Sequence, residues 1–304
     1  MAVQTKYIAF TRFILVYVFI VILAGGIVRT TQSGMGCPDW PKCFGMWIPP
    51  TSIYDLPADY QKYLNKQDID LVYNPVHAWI EWLNRQLTGV LGFLILIHII
   101  WSFRSFYKTQ RSIFWLSACF LVITVFEAWL GKIVVDSNLA VVKITGHMVL
   151  ALGLAAIPVI IINKLKQPVK VNDNGLKWLI TVAILIVLAQ IAVGTDVREQ
   201  IDEISKAAGY TNRETWIAGL NGYFDAHKII AGILSVACIF VFWRSLSYSQ
   251  IQKRGIFVLV IILLSVASGL IMAGLHIPAF VQPLHLLLSA ILFILLFSLR
   301  LGIV

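Results

Sequence analysis

Stretches of about 20 predominantly apolar residues recur along this 304-residue chain and constrain its fold more than any other feature. An α-helix of about 20 residues rises roughly 30 Å, the thickness of the hydrocarbon core of a bilayer. Only 13% of the residues are charged, against roughly 25% in soluble proteins. The sequence therefore predicts an all-α integral membrane protein with eight transmembrane helices and excludes a soluble enzyme. The predicted spans are 8–28, 80–103, 112–135, 143–163, 177–195, 224–243, 256–275 and 283–301.

Basic residues are distributed unevenly between the two predicted sides of the membrane. If the N-terminus is cytoplasmic, the inner segments hold 13 of the 24 basic residues. They hold one of the 15 acidic residues, Asp173. Cytoplasmic segments are enriched in Lys and Arg, so both termini are predicted to be cytoplasmic, and no nucleic-acid partner is needed to explain the net charge of +9. The first span lacks a small-residue cleavage site and is expected to stay in the protein. The inner basic residues are Lys6, Arg12, Arg104, Lys108, Arg111, Lys164, Lys166, Lys170, Lys177, Arg244, Lys253, Arg254 and Arg300.

The predicted outer loops alternate between long and short, which indicates an internal duplication. Spans one to four and five to eight then form two pseudo-twofold-related four-helix bundles. Because each copy has an even number of spans, both keep the same orientation, about an axis along the membrane normal. The halves are 1–163 and 164–304, with a polar cytoplasmic linker over 164–176. The outer loops are 29–79, 136–142, 196–223 and 276–282.

Short motifs support the duplication. The segment 84–89 in the second span resembles 227–232 in the sixth. A polar residue followed four positions later by glycine occurs in the third span and again in the fifth. Since a glutamine takes the place of the glutamate in the fifth span, a hydrogen-bonding role without charge suffices for this position. The two pairs are Glu127 with Gly131, and Gln190 with Gly194.

Histidine placement indicates the chemistry. His147, His227 and His285 lie about one turn into the fourth, sixth and eighth spans, and Asn84 takes the equivalent place in the second. Imidazoles on facing helices of a bundle can ligate a haem iron from both sides. His227 and His285 form such a pair, whereas His147 faces the position of Asn84. The alternative is hydrogen bonding at headgroup depth, but the repeated placement favours ligation.

The other histidines are expected to be structural. His98 lies 14 residues beyond Asn84, about 21 Å deeper along a helix, and so far from the layer of the other three. His77 at the entry to the second span and His276 in a short outer loop are assigned structural or rim roles.

Glu81 is the acidic residue most indicative of function. It lies four residues after His77 and three before Asn84, so all three can share a helix face. A carboxylate this close to the apolar layer is costly unless it is functional or paired. A functional role is therefore favoured, and an ion pair with Arg85 is the alternative. Four basic residues at the same level could bind haem propionates or simply extend to the membrane surface: Arg29, Arg85, Arg198 and Lys228.

The four cysteines fall into two groups. Cys119 and Cys238 lie within spans and are predicted to be small apolar packing residues. Cys37 and Cys43 lie in the first outer loop, on the oxidising side, where such a pair can close a disulfide. A zinc site would require two more ligands, and the sequence offers none nearby. The disulfide could be structural or could take part in redox or substrate handling.

These residues together resemble a known family, the haem A synthases of bacteria and mitochondria, which convert haem O into haem A. The resemblance covers nearly the whole chain. It is carried by the segment 25–34 leaving the first span, by Glu81 followed by Asn84 and Arg85, and by the histidines that open three even-numbered spans.

The resemblance implies that the C-terminal half, 164–304, holds haem b between His227 and His285. It implies that the N-terminal half receives haem O as substrate, with Glu81 beside the methyl group that is oxidised to a formyl group through hydroxylated intermediates. The haem sites would lie near the outer face of the cell membrane. Haem O synthase and cytochrome oxidase assembly factors are the partners it suggests, besides membrane lipid.

The chain departs from the family pattern at one position of the second span. The pattern has a histidine three residues after the glutamate, whereas this chain has Asn84. Three alternatives follow: substrate haem has His147 as its one protein ligand and an open coordination position, His77 supplies a second ligand, or this chain has another task. Some relatives carry a second cysteine pair in the third outer loop, whereas 196–223 has none.

Three classes of function are distinguished by these features. An enzyme needs two unlike sites, which the histidine pair and the single histidine with a nearby carboxylate provide. A di-haem electron-transfer cytochrome, the alternative, would need matched ligand pairs in both halves. A transporter would be expected to show broken helices and charges at the membrane midplane.

Overall fold

A computed structural model describes residues 2–64, 72–136, 141–167 and 170–303. Eight helices in these ranges are long and apolar enough to cross a membrane, which confirms the predicted all-α membrane fold. Each predicted span lies within one of them or differs from it by a few residues at an end. The helices are α1 (Ala2–Thr30), α2 (Pro75–Phe106), α3 (Arg111–Asp136), α4 (Val141–Lys166), α5 (Asn174–Ala207), α6 (Gly222–Ser245), α7 (Gln252–Gly274) and α8 (Val281–Leu301).

Helix α2 begins five residues before its predicted start. Asn74 is its N-cap, and its side-chain oxygen accepts hydrogen bonds from the backbone N–H groups of Val76 and His77 at 3.1 and 3.3 Å. Pro75 follows at the first helical position, where its missing N–H costs nothing. His77 therefore lies in the first turn of a helix rather than in a loop.

Helix α5 continues twelve residues past its predicted end at 195, so the predicted loop 196–223 is wrong over its first part. The extension has one apolar face, with Val197 and Ile201 packed in a buried cluster with Trp216 and Ile277. This tertiary packing stabilises helix in a stretch whose acidic and basic residues gave no membrane signal.

The chain divides into two compact units, one up to Leu154 and one from Ala155 onward. In the first unit α2 packs against both α1 and α3. In the second unit α5 packs against α6 and α8, and α7 packs against the same two helices. Helices α6 and α8 are therefore diagonally opposite across a four-helix arrangement, which brings side chains of both to its centre.

The described part of the first outer loop is folded onto the start of α2. Its buried cluster joins the two loop cysteines and Phe44 to Tyr73 and Ala78. Gly36 is needed there, because a Cβ at this position would lie 2.4 Å from backbone atoms of His77. Of the short outer loop predicted over 136–142, residues 137–140 lie outside the described ranges.

His98 is fully buried between α1 and α2. Its Nδ1 lies 3.3 Å from the hydroxyl of Tyr7, and its Nε2 lies 3.1 Å from the hydroxyl of Thr11. Tyr7 also stacks on the imidazole and hydrogen bonds to Ser117 of α3 at 2.9 Å. Both ring nitrogens thus serve contacts between helices, in agreement with the predicted structural role.

Candidate functional site

His227 and His285 face each other in the second unit. They lie five and four residues after the first residues of α6 and α8, and their ring centroids are 6.3 Å apart with ring planes at 57°. A metal–imidazole bond is about 2 Å long and a ring centre lies about 1 Å behind the nitrogen, so two imidazoles on one metal have centres roughly 6 Å apart. The spacing of this pair therefore fits axial ligation of one haem iron.

Neutral side chains orient both imidazoles. The hydroxyl of Ser268 lies 2.8 Å from Nδ1 of His285, which leaves Nε2 for a ligand. The side-chain amide of Gln190 lies 3.2 Å from Nε2 of His227 and donates to the backbone carbonyl of the same residue at 3.1 Å. The buried Nδ1 of His227 has no hydrogen-bond partner among the described residues.

Glycines make room for each of these rings. A Cβ at Gly194 would lie 3.1 Å from Cε1 of His227, and a Cβ at Gly269 would lie 3.5 Å from Cε1 of His285. The first distance is shorter than an ordinary van der Waals contact, so a larger residue would displace the imidazole. Ser268 and Gly269 were not predicted as site residues from the sequence. Both lie on α7, the helix before the one that carries His285.

His147 has a different partner in the first unit. It lies six residues after the start of α4, and its Nδ1 contacts the carboxylate of Glu127 on α3. Glu127 is 7% exposed. A Cβ at Gly131, one turn further along α3, would lie 3.9 Å from Cε1 of the imidazole. The ring thus has a carboxylate and a glycine beside it.

The Glu127–Gly131 and Gln190–Gly194 motifs both lie beside a histidine in the structure. What the two motifs share is their relation to a histidine. In both, the polar residue contacts the imidazole on the next membrane-spanning helix, and the glycine faces its Cε1.

Asn84 lies nine residues after the start of α2. Its side-chain oxygen is buried and has no hydrogen-bond partner in the described part of the chain. The amide thus offers an unused acceptor at the position that the predicted duplication relates to His227.

Glu81 and Arg85 bind the first outer loop to α2. Glu81 is 3% exposed, and its carboxylate accepts hydrogen bonds from Arg85 at 2.5 Å and from the backbone N–H of Cys37 at 2.6 Å. Arg85 also donates to the backbone carbonyls of Cys37, Asp39 and Lys42 at 2.7, 2.6 and 3.0 Å. The ion pair that the sequence left as the alternative is therefore present.

The loop itself is organised around a pair of cysteines. Cys37 and Cys43 are joined as a disulfide in the structure, with Cα atoms 4.7 Å apart and both residues fully buried. Asp39 between them accepts hydrogen bonds from the backbone of Phe44 and Gly45 at 2.6 and 2.9 Å. Asp39 was not among the predicted site residues, although aspartate is a residue that turns favour.

The remaining cysteines differ from each other. Cys238 is buried, as predicted for a packing residue. Cys119 is exposed on the surface of α3, so the prediction of an interior packing role is wrong for this residue. An apolar side chain is equally compatible with a helix surface that faces lipid, which the sequence pattern could not distinguish from the interior.

The other predicted site residues lie at or near the ends of helices. Arg198 pairs with Asp202 at 2.8 Å on the extension of α5, and Lys228 pairs with Asp225 at 2.8 Å in the first turns of α6. Arg29 lies in the last turn of α1. Binding of propionates by these basic residues stays a prediction. His276 lies in the turn before α8.

Fold and site together define a multi-pass membrane protein with paired and single histidines among its helices. The chain belongs to the COX15-CtaA family of cytochrome oxidase assembly proteins, whose model matches residues 9–297. This confirms the family resemblance seen in the sequence.

Relatives from three bacteria are similar over most of their length, and all are named Heme A synthase. The protein from Shewanella oneidensis is 23% identical, covering 90% of this chain and 89% of its own. The protein from Halalkalibacterium halodurans is 26% identical, with the same coverage. That from Neorickettsia sennetsu is 24% identical over 88% of this chain and 90% of its own.

Proposed function

We propose that this protein is a haem A synthase, an oxidoreductase that converts a methyl group of haem O into a formyl group through hydroxylated intermediates. The family and the printed names of the relatives support this activity. The observation that carries the proposal is the difference between two sites: a pair of imidazoles with centroids 6.3 Å apart, and one imidazole beside a carboxylate.

In this proposal the C-terminal half, 164–304, holds haem b between His227 and His285. When bound there, haem b would supply reversible one-electron chemistry for relaying electrons. Ser268 and Gln190 hold the two rings, and Gly194 and Gly269 leave space beside them.

The N-terminal half, 1–163, receives haem O. His147 binds the substrate iron. Position 84, which the predicted duplication relates to His227, is an asparagine in this chain and supplies no second imidazole. Glu81 assists at the reacting carbon, where a carboxylate could accept a proton or stabilise positive charge as the methyl group is oxidised. Arg85 and the N–H of Cys37 hold that carboxylate in place. Both sites lie near the outer face of the cell membrane, and haem O synthase and oxidase assembly factors are the expected partners.

The test is a pigment analysis of the full-length protein, produced in cells that make haem O and purified from their membranes. Extraction and chromatography should yield haem A or its hydroxylated precursor together with haem B. His147→Ala should lower the content of haem O and its products while keeping haem B. His285→Ala and His227→Ala should lose haem B and its low-spin spectrum. Haem B as the sole pigment of the wild-type protein would refute the proposed activity, and an unchanged spectrum in His227→Ala would refute the ligand assignment.

A further inference from the structure

The three histidines of the outer layer have chemically different partners. Nδ1 of His147 contacts the carboxylate of Glu127. His285 has the neutral hydroxyl of Ser268 at 2.8 Å, and His227 has the neutral amide of Gln190 at 3.2 Å. The carboxyl partner thus belongs to the histidine of the N-terminal half, and the hydroxyl and amide partners belong to the pair of the C-terminal half.

Glu127 lies where a carboxylate is costly. The residue lies within a membrane-spanning helix and is 7% exposed, where an ionised carboxylate is costly unless it is paired. Neither of its oxygens makes a hydrogen bond among the described residues, and neither does Nδ1 of His147, so the close contact between the two side chains is the one polar contact recorded there for both. His147 is therefore the group that explains a buried glutamate at this position.

We propose that Glu127 is a positioning residue for His147. Its carboxylate accepts the Nδ1–H of the imidazole, which fixes the tautomer and the ring orientation and leaves Nε2 as the nitrogen that can bind iron. A carboxylate in this role makes an imidazole a stronger electron donor than a hydroxyl or an amide does. The part of this inference that concerns iron rests on the proposed function, whereas the tautomer does not.

The difference between partners suits two different tasks. A strongly donating single ligand favours chemistry at an iron that has an open coordination position. Two ligands with neutral partners suit an iron that only passes electrons. From the sequence alone, a hydrogen-bonding role without charge sufficed for Glu127. In this proposal its carboxylate is charged, because it contacts the imidazole of His147.

The tautomer can be measured without haem chemistry, by NMR of the full-length protein labelled with ¹⁵N at histidine, with the signals of His147 assigned by their loss in His147→Gln. The wild-type ring should carry its proton on Nδ1. Glu127→Leu should shift the proton to Nε2, whereas Glu127→Gln, which keeps an acceptor oxygen, should retain it on Nδ1. Ser268→Ala is the matched control and should change the signals of His285 but not those of His147. An Nδ1 proton that persists in Glu127→Leu would overturn the proposal.

The consequence for the iron is measured on haem-loaded protein by resonance Raman spectroscopy. The iron–histidine stretching band that disappears in His147→Ala should move to lower frequency in Glu127→Gln, because the anionic partner is lost. An unmoved band would overturn the donor role of the charge. If instead the wild-type protein has no such band while the NMR result holds, the proposed substrate site fails and the positioning of His147 by Glu127 stands.

Discussion

Glu81 and Arg85 lie one turn apart on α2, and the 2.5 Å hydrogen bond between them is one part of a larger contact with Cys37. The carboxylate accepts from the N–H of Cys37, and the guanidinium donates to its carbonyl. Each side of this ion pair therefore contacts the backbone of the same loop residue. A charge at this depth can be tolerated because every partner is close and oriented.

Substitution of Glu81 separates its two roles. Glu81→Ala should accumulate haem O or its hydroxylated form, because the carboxylate beside the reacting carbon is gone, and should keep the haem b spectrum. The loss of a buried ion-pair partner should also destabilise the protein by about 3 kcal/mol. Haem extraction measures the first effect and thermal unfolding the second. Arg85→Ala is the control, since it removes the pair but keeps the carboxylate. A wild-type yield of haem A from Glu81→Ala would contradict the proposed role, and loss of haem b would indicate a purely structural one.

Exchange of Asn84 for histidine should make the two halves alike. Asn84→His supplies a second imidazole at the position that the repeat relates to His227. Substrate haem should then become six-coordinate and low-spin, because a second imidazole can bind its iron. Electron paramagnetic resonance of the ferric protein measures the spin state. His227→Asn is the reciprocal control and, because it removes one of the two ligands, should abolish the low-spin spectrum of haem b. A high-spin signal unchanged by Asn84→His would show that position 84 does not reach the substrate iron.

The glycines beside the imidazoles provide a steric test. Gly194→Val should lower the content of haem b severalfold, because its first side-chain carbon would already lie 3.1 Å from Cε1 of His227. Gly232→Ala, on α6 where a Cβ meets no atom within 4 Å, is the matched control and should leave haem content unchanged. The ratio of haem to protein in purified samples gives the answer. Normal haem content in Gly194→Val would show that haem binding does not depend on the observed position of the His227 imidazole.

The pairing of Cys37 with Cys43 is tested by mass spectrometry after alkylation of the denatured protein without reductant. The two loop cysteines should remain unmodified, whereas Cys119 and Cys238 should both be alkylated and so report that the reagent had access. Reduction before alkylation should label all four. Two alkylated loop thiols in protein isolated under non-reducing conditions would contradict the pairing, although an exchange-prone bond would be labelled in part.

Most of the helical architecture was predictable, because a bilayer imposes a length and an apolar composition on any helix that crosses it. The end of α5 was not, since residues beyond 195 form helix through packing against Trp216 and Ile277, which are distant in sequence. A hydropathy pattern reports the surrounding solvent and contains no information on such contacts.

The candidate site was predictable at its histidines but not at their partners. His147, His227 and His285 each lie four to six residues after the first residue of a helix, and such placement is visible in sequence. That Glu127 contacts His147, and that Ser268 contacts His285, depends on the rotation of each helix about its axis and on side-chain direction. Two polar residues three or four positions apart on the same helix are equally good partners from sequence alone.

The helical extension of α5 determines where a residue can be inserted into this part of the chain without disturbing its packing. An inserted residue rotates everything beyond it in a helix by about 100°, whereas a flexible loop absorbs the same insertion locally. One extra residue directly before Val197 would therefore turn the apolar face of the extension away from Trp216 and Ile277. The same insertion within 208–212, beyond the end of α5, would leave that face in place. Of the predicted loop 196–223, residues 208–212 should thus be a part in which homologous chains can differ in length.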